Sequence, residues 1–224
     1  MSAGLFIVIE GVDGAGTTTQ VAQLTAALRQ RGRSARETRE PSIGPIGALL
    51  RQCLTGRFVT PGPSGPTAPN WQTMALLFAA DRLDHVAVEI DPLLEQGVCV
   101  ISDRYYHSSV AYQALTGTGD RAQAIAWIRE LNGHARKPDL TIVLDVSAAQ
   151  TAERRRQRGG VELYDADELQ ARLVDFYARL DQHFPGEAIV HVPGAAGIDA
   201  VAAAVLAECD ARWDLGRPGG SAAP

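Results

Sequence analysis

The chain has 224 residues, 46% of them hydrophobic, which suits one sizeable α/β core and is short for two. Its formal net charge of -5 argues against a protein working mainly on the nucleic-acid backbone, which calls for a basic surface, and points to small-molecule chemistry. Cys53, Cys99 and Cys209 are odd in number, far apart and without Cys-x-x-Cys spacing, so neither a disulfide framework nor a zinc site is expected.

The N-terminus runs into a short apolar stretch, Leu5 to Ile9, with no basic leader and nothing near the ~20 apolar residues of a membrane span. A cytoplasmic, soluble protein is the expectation. Leu5 to Ile9 is continuously apolar rather than alternating, the pattern of a strand buried on both faces of a parallel sheet. The runs Val98 to Ile101, Leu140 to Leu144 and Ala188 to Val192 share this character, and segments of helical period separate them. That is a βαβ rhythm.

The first helix is expected to begin near Thr17, carry Val21, Leu24 and Leu28 on one face, and stop at Gly32. A more polar strand follows over Arg33 to Thr38. Helical pattern returns over Gln72 to Leu94, Arg121 to Ala135, Ala166 to Leu180, and Ile198 to Trp213. Two stretches break the rhythm: Thr60 to Asn70, dense in Pro and Gly, reads as a surface loop, and residues 217 to 224 read as a disordered tail. The fold class predicted is a three-layer α/β/α domain of the P-loop type over residues 1 to 216, with a central, mostly parallel five-stranded sheet.

Gly11-Val12-Asp13-Gly14-Ala15-Gly16 lies where an apolar strand ends and a helix begins. There, successive backbone N–H groups and the helix dipole can hold a polyphosphate. The full motif continues with Lys and then Ser or Thr, the lysine reaching the β- and γ-phosphates and the hydroxyl reaching magnesium. Here Thr17 takes the lysine position and Thr18 supplies the hydroxyl. Residues 11 to 18 are therefore the candidate ATP site. Glu10 and Asp13 flank it; Asp13 is a candidate ribose contact, and Glu10 suits either such a contact or pairing with a neighbouring arginine.

Further motifs follow in order: Thr38-Arg39-Glu40-Pro41, Leu77-Phe78-Ala79-Ala80-Asp81-Arg82, Asp103-Arg104-Tyr105, Ser108-Ser109-Val110-Ala111-Tyr112-Gln113, and Pro138-Asp139-Leu140. In this order and spacing the chain resembles bacterial thymidylate kinases over roughly residues 5 to 213. The resemblance implies a homodimeric enzyme that moves the γ-phosphate of ATP to dTMP with Mg²⁺. It further implies that Arg39 clamps the acceptor phosphate, that Phe78 and Arg82 hold the thymine ring, and that Asp103 and Thr18 hold the metal. Arg104 then reaches both phosphates, Tyr112 presses on the deoxyribose, and Ser109 and Gln113 lie near the base. For Tyr105, His107 and Ser108 ligand contact and packing are not separable at this level.

The missing lysine asks for another cation, and Lys137, the only lysine in the chain, precedes Pro138 at the approach to another strand. Arg154-Arg155-Arg156-Gln157-Arg158-Gly159-Gly160 ends a helical segment and lies where the family carries a lid, about residues 153 to 165. Arg154 and Arg158 share a helix face and are candidates to close over ATP. A solvated basic helix end is the plainer reading. Tyr164 and Asp165 resemble lid-adjacent residues that approach the acceptor nucleotide. Two alternatives stay open: a kinase for another nucleoside monophosphate, and a nucleotide-binding protein that lost transfer activity with its lysine.

Overall fold

The computed structural model describes residues 4–63, 65–158, 163–164 and 166–215, without the side chains of Arg155, Gln157, Arg158, Asp214 and Leu215. Five parallel strands, β1 (Phe6–Glu10), β2 (Ala35–Arg39), β3 (Cys99–Asp103), β4 (Leu140–Asp145) and β5 (Ile189–Pro193), lie in the order β2-β3-β1-β4-β5. The most apolar runs take the centre: every residue of β1 is buried, while β2, at the edge, is largely exposed.

Helices α1 (Thr17–Gln30) and α10 (Ile198–Leu215) pack against each other and the sheet. Helix α5 (Tyr106–Thr116) packs with α3 (Trp71–His85), α6 (Arg121–Leu131) and α8 (Asp167–Tyr177). Helices α2 (Pro45–Leu54) and α7 (Ala148–Arg158) lie against α3 and α8 respectively, and the short α9 (Leu180–His183) lies against β5. Local chemistry sets several starts. The Asn70 side chain accepts from Thr73 N at 2.8 Å to cap α3, and Asp120 accepts from Ala122 N at 2.8 Å to cap α6. Helix α5 has no side-chain cap of its own. Instead the buried carboxylate of Glu10, from β1, accepts from Tyr105 N at 2.8 Å and Ser108 N at 3.2 Å.

The expectation of one helix over residues 72 to 94 is corrected. After α3 the chain makes a π-helical turn, Val86–Ile90, and a short α4, Asp91–Glu95. Pro92 supplies no N–H and its ring crowds the preceding turn, so the regular ladder cannot run through it. Helix α2 has no counterpart in the sequence expectations, and the expected strand over residues 33 to 38 sits slightly later. The loop over residues 60 to 70 is drawn together by a bridge in which Thr60 and Thr67 exchange backbone hydrogen bonds of 2.7 and 2.9 Å. The three cysteines are free and buried, and burial pushes the Cys99 thiol up to about 12. Among the described residues no helix is long and apolar enough to cross a membrane. Residues 159–162 and 165, the glycine pair and Asp165 of the expected lid, lie outside the described residues, as does the expected tail.

Candidate active site

The loop after β1 turns on Gly14 and Gly16, with φ of 87° and 99°, conformations that side chains rarely adopt. Gly16 leads straight into α1 without a side-chain cap, which leaves first-turn N–H groups for an anionic ligand. Helix α7 closes on this loop. A Cβ at Gly14 would stand 3.1 Å from the Thr151 carbonyl oxygen. Arg154 Nη1 donates to the carbonyls of Gly14 at 3.1 Å and Ala15 at 3.3 Å, and the same side chain borders a groove with Gly16, Gly194 and Ile198. One expected lid arginine is therefore at the phosphate loop. The side chain of the other, Arg158, lies outside the described residues.

Parallel register brings Asp103, at the end of β3, opposite Ile9 on one side and Arg39 on the other. Thr18 Oγ1 donates to Asp103 Oδ2. Asp103 Oδ1 is buried and has no hydrogen-bond partner. A hydroxyl beside a carboxylate with a spare buried lone pair suits a hard cation whose remaining ligands are phosphate and water oxygens. Among the described residues no cluster of three or more His, Cys, Asp or Glu could hold an ion by itself. Arg39 is exposed and lines the groove that Thr18 and Asp103 share, not the acceptor pocket described next.

Arg104 stands between the two regions. Its φ of 70° makes it the one non-glycine described residue in the left-handed region, a strained backbone of the kind that clusters at functional sites. Its guanidinium donates to the Gly11 carbonyl, and to Asp13 Oδ1 at 2.7 Å. Burial opposes the charge, but the surrounding Tyr112, Asp13, Tyr177 and Glu10 outweigh it and hold the pKa well above the ordinary arginine value.

Beyond Arg104 opens a pocket of about 210 Å³. Asp13, Phe78, Arg82 and Arg104 line it, with Ser109, Tyr112, Gln113 and Tyr164 completing the walls. Phe78 gives an apolar face, packed on the satellite core of Leu50, Cys53 and Met74. Arg82 is 1% exposed and its two terminal nitrogens are held by three acceptors. It donates to Asn132 Oδ1, to Glu40 Oε2 at 2.5 Å and to Ser109 Oγ at 3.1 Å. Its Nε is buried and without a partner. Gln113 Nε2 donates to the Tyr164 hydroxyl at 3.2 Å, and Gln113 Oε1 is a buried acceptor with no partner. The Tyr112 and Tyr164 rings lie 5.3 Å apart. Burial pushes the Tyr164 hydroxyl up to about 12 and that of Tyr112 well above the usual phenol range, the latter against the pull of Arg104. Both stay neutral at any physiological pH.

A model of the thymidylate kinase family matches residues 9–204. The chain belongs to the thymidylate kinase family. It is 36% identical over 189 residues to a "Probable thymidylate kinase" of Pyrococcus horikoshii, a match covering 84% of this chain and 88% of that protein. It is 40% identical over 185 residues to a thymidylate kinase of Bifidobacterium longum, with coverage of 81% and 82%. A solved thymidylate kinase from Candida albicans superposes with a TM-score of 0.76 at 26% identity, covering 95% of this chain and 94% of that one.

Several pocket groups escape sequence reasoning. Glu10 caps α5, accepts from Ser108 Oγ at 2.7 Å and from the Tyr177 hydroxyl at 3.0 Å, and lends its charge to Arg104. Ser108 and Tyr105 both line the pocket, and Tyr105 also packs edge-on against Phe6 at 5.0 Å. His107 is wholly buried behind the site, with Nε2 3.0 Å from Glu187. Gln170, on α8, donates to Asp13 Oδ2 at 3.1 Å and to the Tyr164 carbonyl at 2.8 Å. Glu40 sits in the Thr38-Arg39-Glu40-Pro41 motif, yet nothing local shows that it would face Arg82. For Asn132, Gln170 and Tyr177 the chain carries no signal, since each acts through a partner at least 50 residues away.

Proposed function

We propose that this chain transfers the γ-phosphoryl group of ATP to the 5′-phosphate of dTMP, giving dTDP and ADP. The observation that carries the reading is Arg104, held charged between the phosphate loop and a polar-edged pocket. The nucleophile is already a phosphate oxygen, so the protein has only to position and neutralise.

The thymine ring lies on Phe78 with its carbonyl edge toward Arg82, while Ser109 and Gln113 border the base. Tyr112 fills the space a 2′-hydroxyl needs, and Tyr164 closes the mouth. Asp13 meets the sugar while orienting Arg104. Arg39 and Arg104 take the acceptor phosphate from two sides. Residues 11 to 16 wrap the ATP phosphates with backbone N–H groups, joined by Thr17 and Thr18. Mg²⁺, held by Thr18 and Asp103, would supply neutralisation of the phosphate charge. Arg154, with Arg158, supplies the cation that Thr17 cannot.

A homodimer is part of the proposal. Leu76, Ala80, Leu83 and Ala87 are exposed at spacings of four, three and four, which makes one uncovered apolar stripe along α3 and the π-helical turn. The cytoplasm is the proposed location, in keeping with three free thiols. The deciding test is a coupled assay of ADP formation with dTMP, dUMP, dCMP and UMP as acceptors. Turnover with dTMP well above the rest is expected. Nucleotide binding without product from any acceptor would overturn the reading in favour of a silent binder.

A further inference from the structure

His85 sits behind the acceptor pocket, 1% exposed, at the junction of α3 and the π-helical turn. Its Nδ1 lies 3.4 Å from Glu40 Oε1, and the other oxygen of that carboxylate binds Arg82 Nη2 at 2.5 Å. Its Nε2 meets Thr38 Oγ1 at 2.8 Å and Glu89 Oε2 at 3.4 Å. The charged groups acting on this ring are Glu40 after β2, Asp81 on α3 and Glu89 on the π-helical turn, with Arg82 on the other oxygen of Glu40. Arg36 on β2 lies 3.9 Å from Glu89 on its outer side. The ring does not line the acceptor pocket; it touches the group that holds Arg82 there.

We infer that His85, as the imidazolium, is a positioning residue for acceptor recognition: it shares Glu40 with Arg82 and so fixes the guanidinium that faces the base. The inference rests on the acceptor reading of the pocket. The physical reason is that one buried carboxylate stands between two cations. While the ring is charged, Nδ1–H donates to Glu40 and Nε2–H to Thr38 or Glu89. Once a proton leaves, one nitrogen must present a lone pair, and if that is Nε2 it faces the Glu89 carboxylate. The Nδ1–H tautomer still donates to Glu40 and can accept from Thr38 Oγ1, but the charge opposite Glu40 is gone, so Glu40 is held more loosely against Arg82. Burial works against the charged ring, but the hydrogen bond and charge of Glu40, with those of Glu89 and Asp81, outweigh it and lift the pKa above the ordinary histidine value. The bracing is therefore complete below the ordinary histidine value and weakens as pH rises through the lifted one.

The test uses thymidine as a competitive inhibitor against dTMP, because thymidine has no phosphate to titrate in this range. For the wild type, Ki should rise about 10-fold as pH climbs from below the ordinary histidine value through the lifted one, with kcat and KM for ATP moving much less, as expected when ~1.4 kcal/mol of binding is lost. His85→Gln should show the raised Ki at all pH values and no inflection. Glu40→Gln should do the same, and the double variant should be no worse than either single one, because the two groups act as a unit. A variant-free check is the His85 ring resonance in the wild type, whose titration should move to higher pH when thymidine is bound, by linkage. A pH-independent wild-type Ki, or an imidazole titration indifferent to thymidine, overturns the inference while leaving the acceptor pocket intact. If thymidine does not compete with dTMP at all, the acceptor reading itself fails.

Discussion

The acceptor pocket and the phosphate loop meet at Arg104 but are built on opposite plans. In the pocket the polar side chains largely hold one another, Arg82 by Glu40, Ser109 and Asn132, Gln113 by Tyr164, and Asp13 by Arg104 and Gln170, while Arg82 Nε and Gln113 Oε1 stay buried without a partner. Where the two phosphates meet, the cations come from more open ground, with Arg39 exposed on an edge strand and Arg154 half-buried on α7. The contrast teaches a division of labour. Discriminating a base needs a rigid, dry surface whose hydrogen bonds cost no rearrangement on binding. Moving a phosphoryl group needs charge that can arrive with the donor and leave with the product.

The largest effect that should follow falls on the hinge of the comparison. Arg104→Gln should lower kcat by ~10³-fold, at the upper end for loss of one preorganised donor, and steady-state rates with saturating ATP and dTMP measure it. Next comes the loop side. Arg154→Ala should cost ~10²-fold in kcat, and adding Thr17→Lys in that background should recover much of it. No recovery would sink the idea that the lid arginine stands in for the loop lysine. A purely acceptor-side change should look different: Phe78→Ala should raise KM for dTMP about 10-fold through loss of ~1–1.5 kcal/mol of ring stacking, with kcat nearly unchanged. Isothermal titration of dTMP checks the same point without turnover.

The smallest expected effect concerns the rear support of the pocket. Glu187 is held by His107 Nε2 and the Tyr106 hydroxyl at 3.0 and 2.8 Å. Burial raises its pKa, but these hydrogen bonds, the charge on His107 and that on Lys137 outweigh it and leave the carboxylate below its ordinary value. A depressed folded pKa means the stabilisation is complete above the unfolded value and is lost as pH falls through the folded one. Glu187→Gln should thus lower Tm by ~2–4 °C at pH 7, about 1 kcal/mol, with a gap to wild type that narrows in acid. A gap constant with pH would remove the ionic part of this support.

Much of the fold was readable because its signals are local. Continuous apolar runs marked β1, β3 and β4, and the glycines at 11, 14 and 16 marked a strand-to-helix turn. The pocket was readable only in part. Phe78, Arg82 and Tyr112 stood in recognisable motifs, but Asn132, which braces Arg82, lies in the turn after α6, and Gln170 and Tyr177, which hold Asp13 and Glu10, are single polar residues on an otherwise ordinary α8. Arg39 shows the reverse: its strand end was foreseen, and its placement beside Thr18 and Asp103 rather than in the pocket depended on the register with β3. Helix α2 was missed because Pro45 and Gly47 mask a helix that needs the apolar side of Leu50 and Cys53 against α3 to form.

By itself the sequence determined the sheet class, the phosphate loop and the absence of its lysine, since each depends on neighbours along the chain. The tertiary structure alone decided that Arg154 lies against Gly14 and Ala15, that Glu10 caps α5, and that His85 reaches Arg82 through Glu40. These are meetings of charges between separate elements. Burying such groups is favourable only when the partner arrives with them, and the partner's distance along the chain leaves no trace in local pattern.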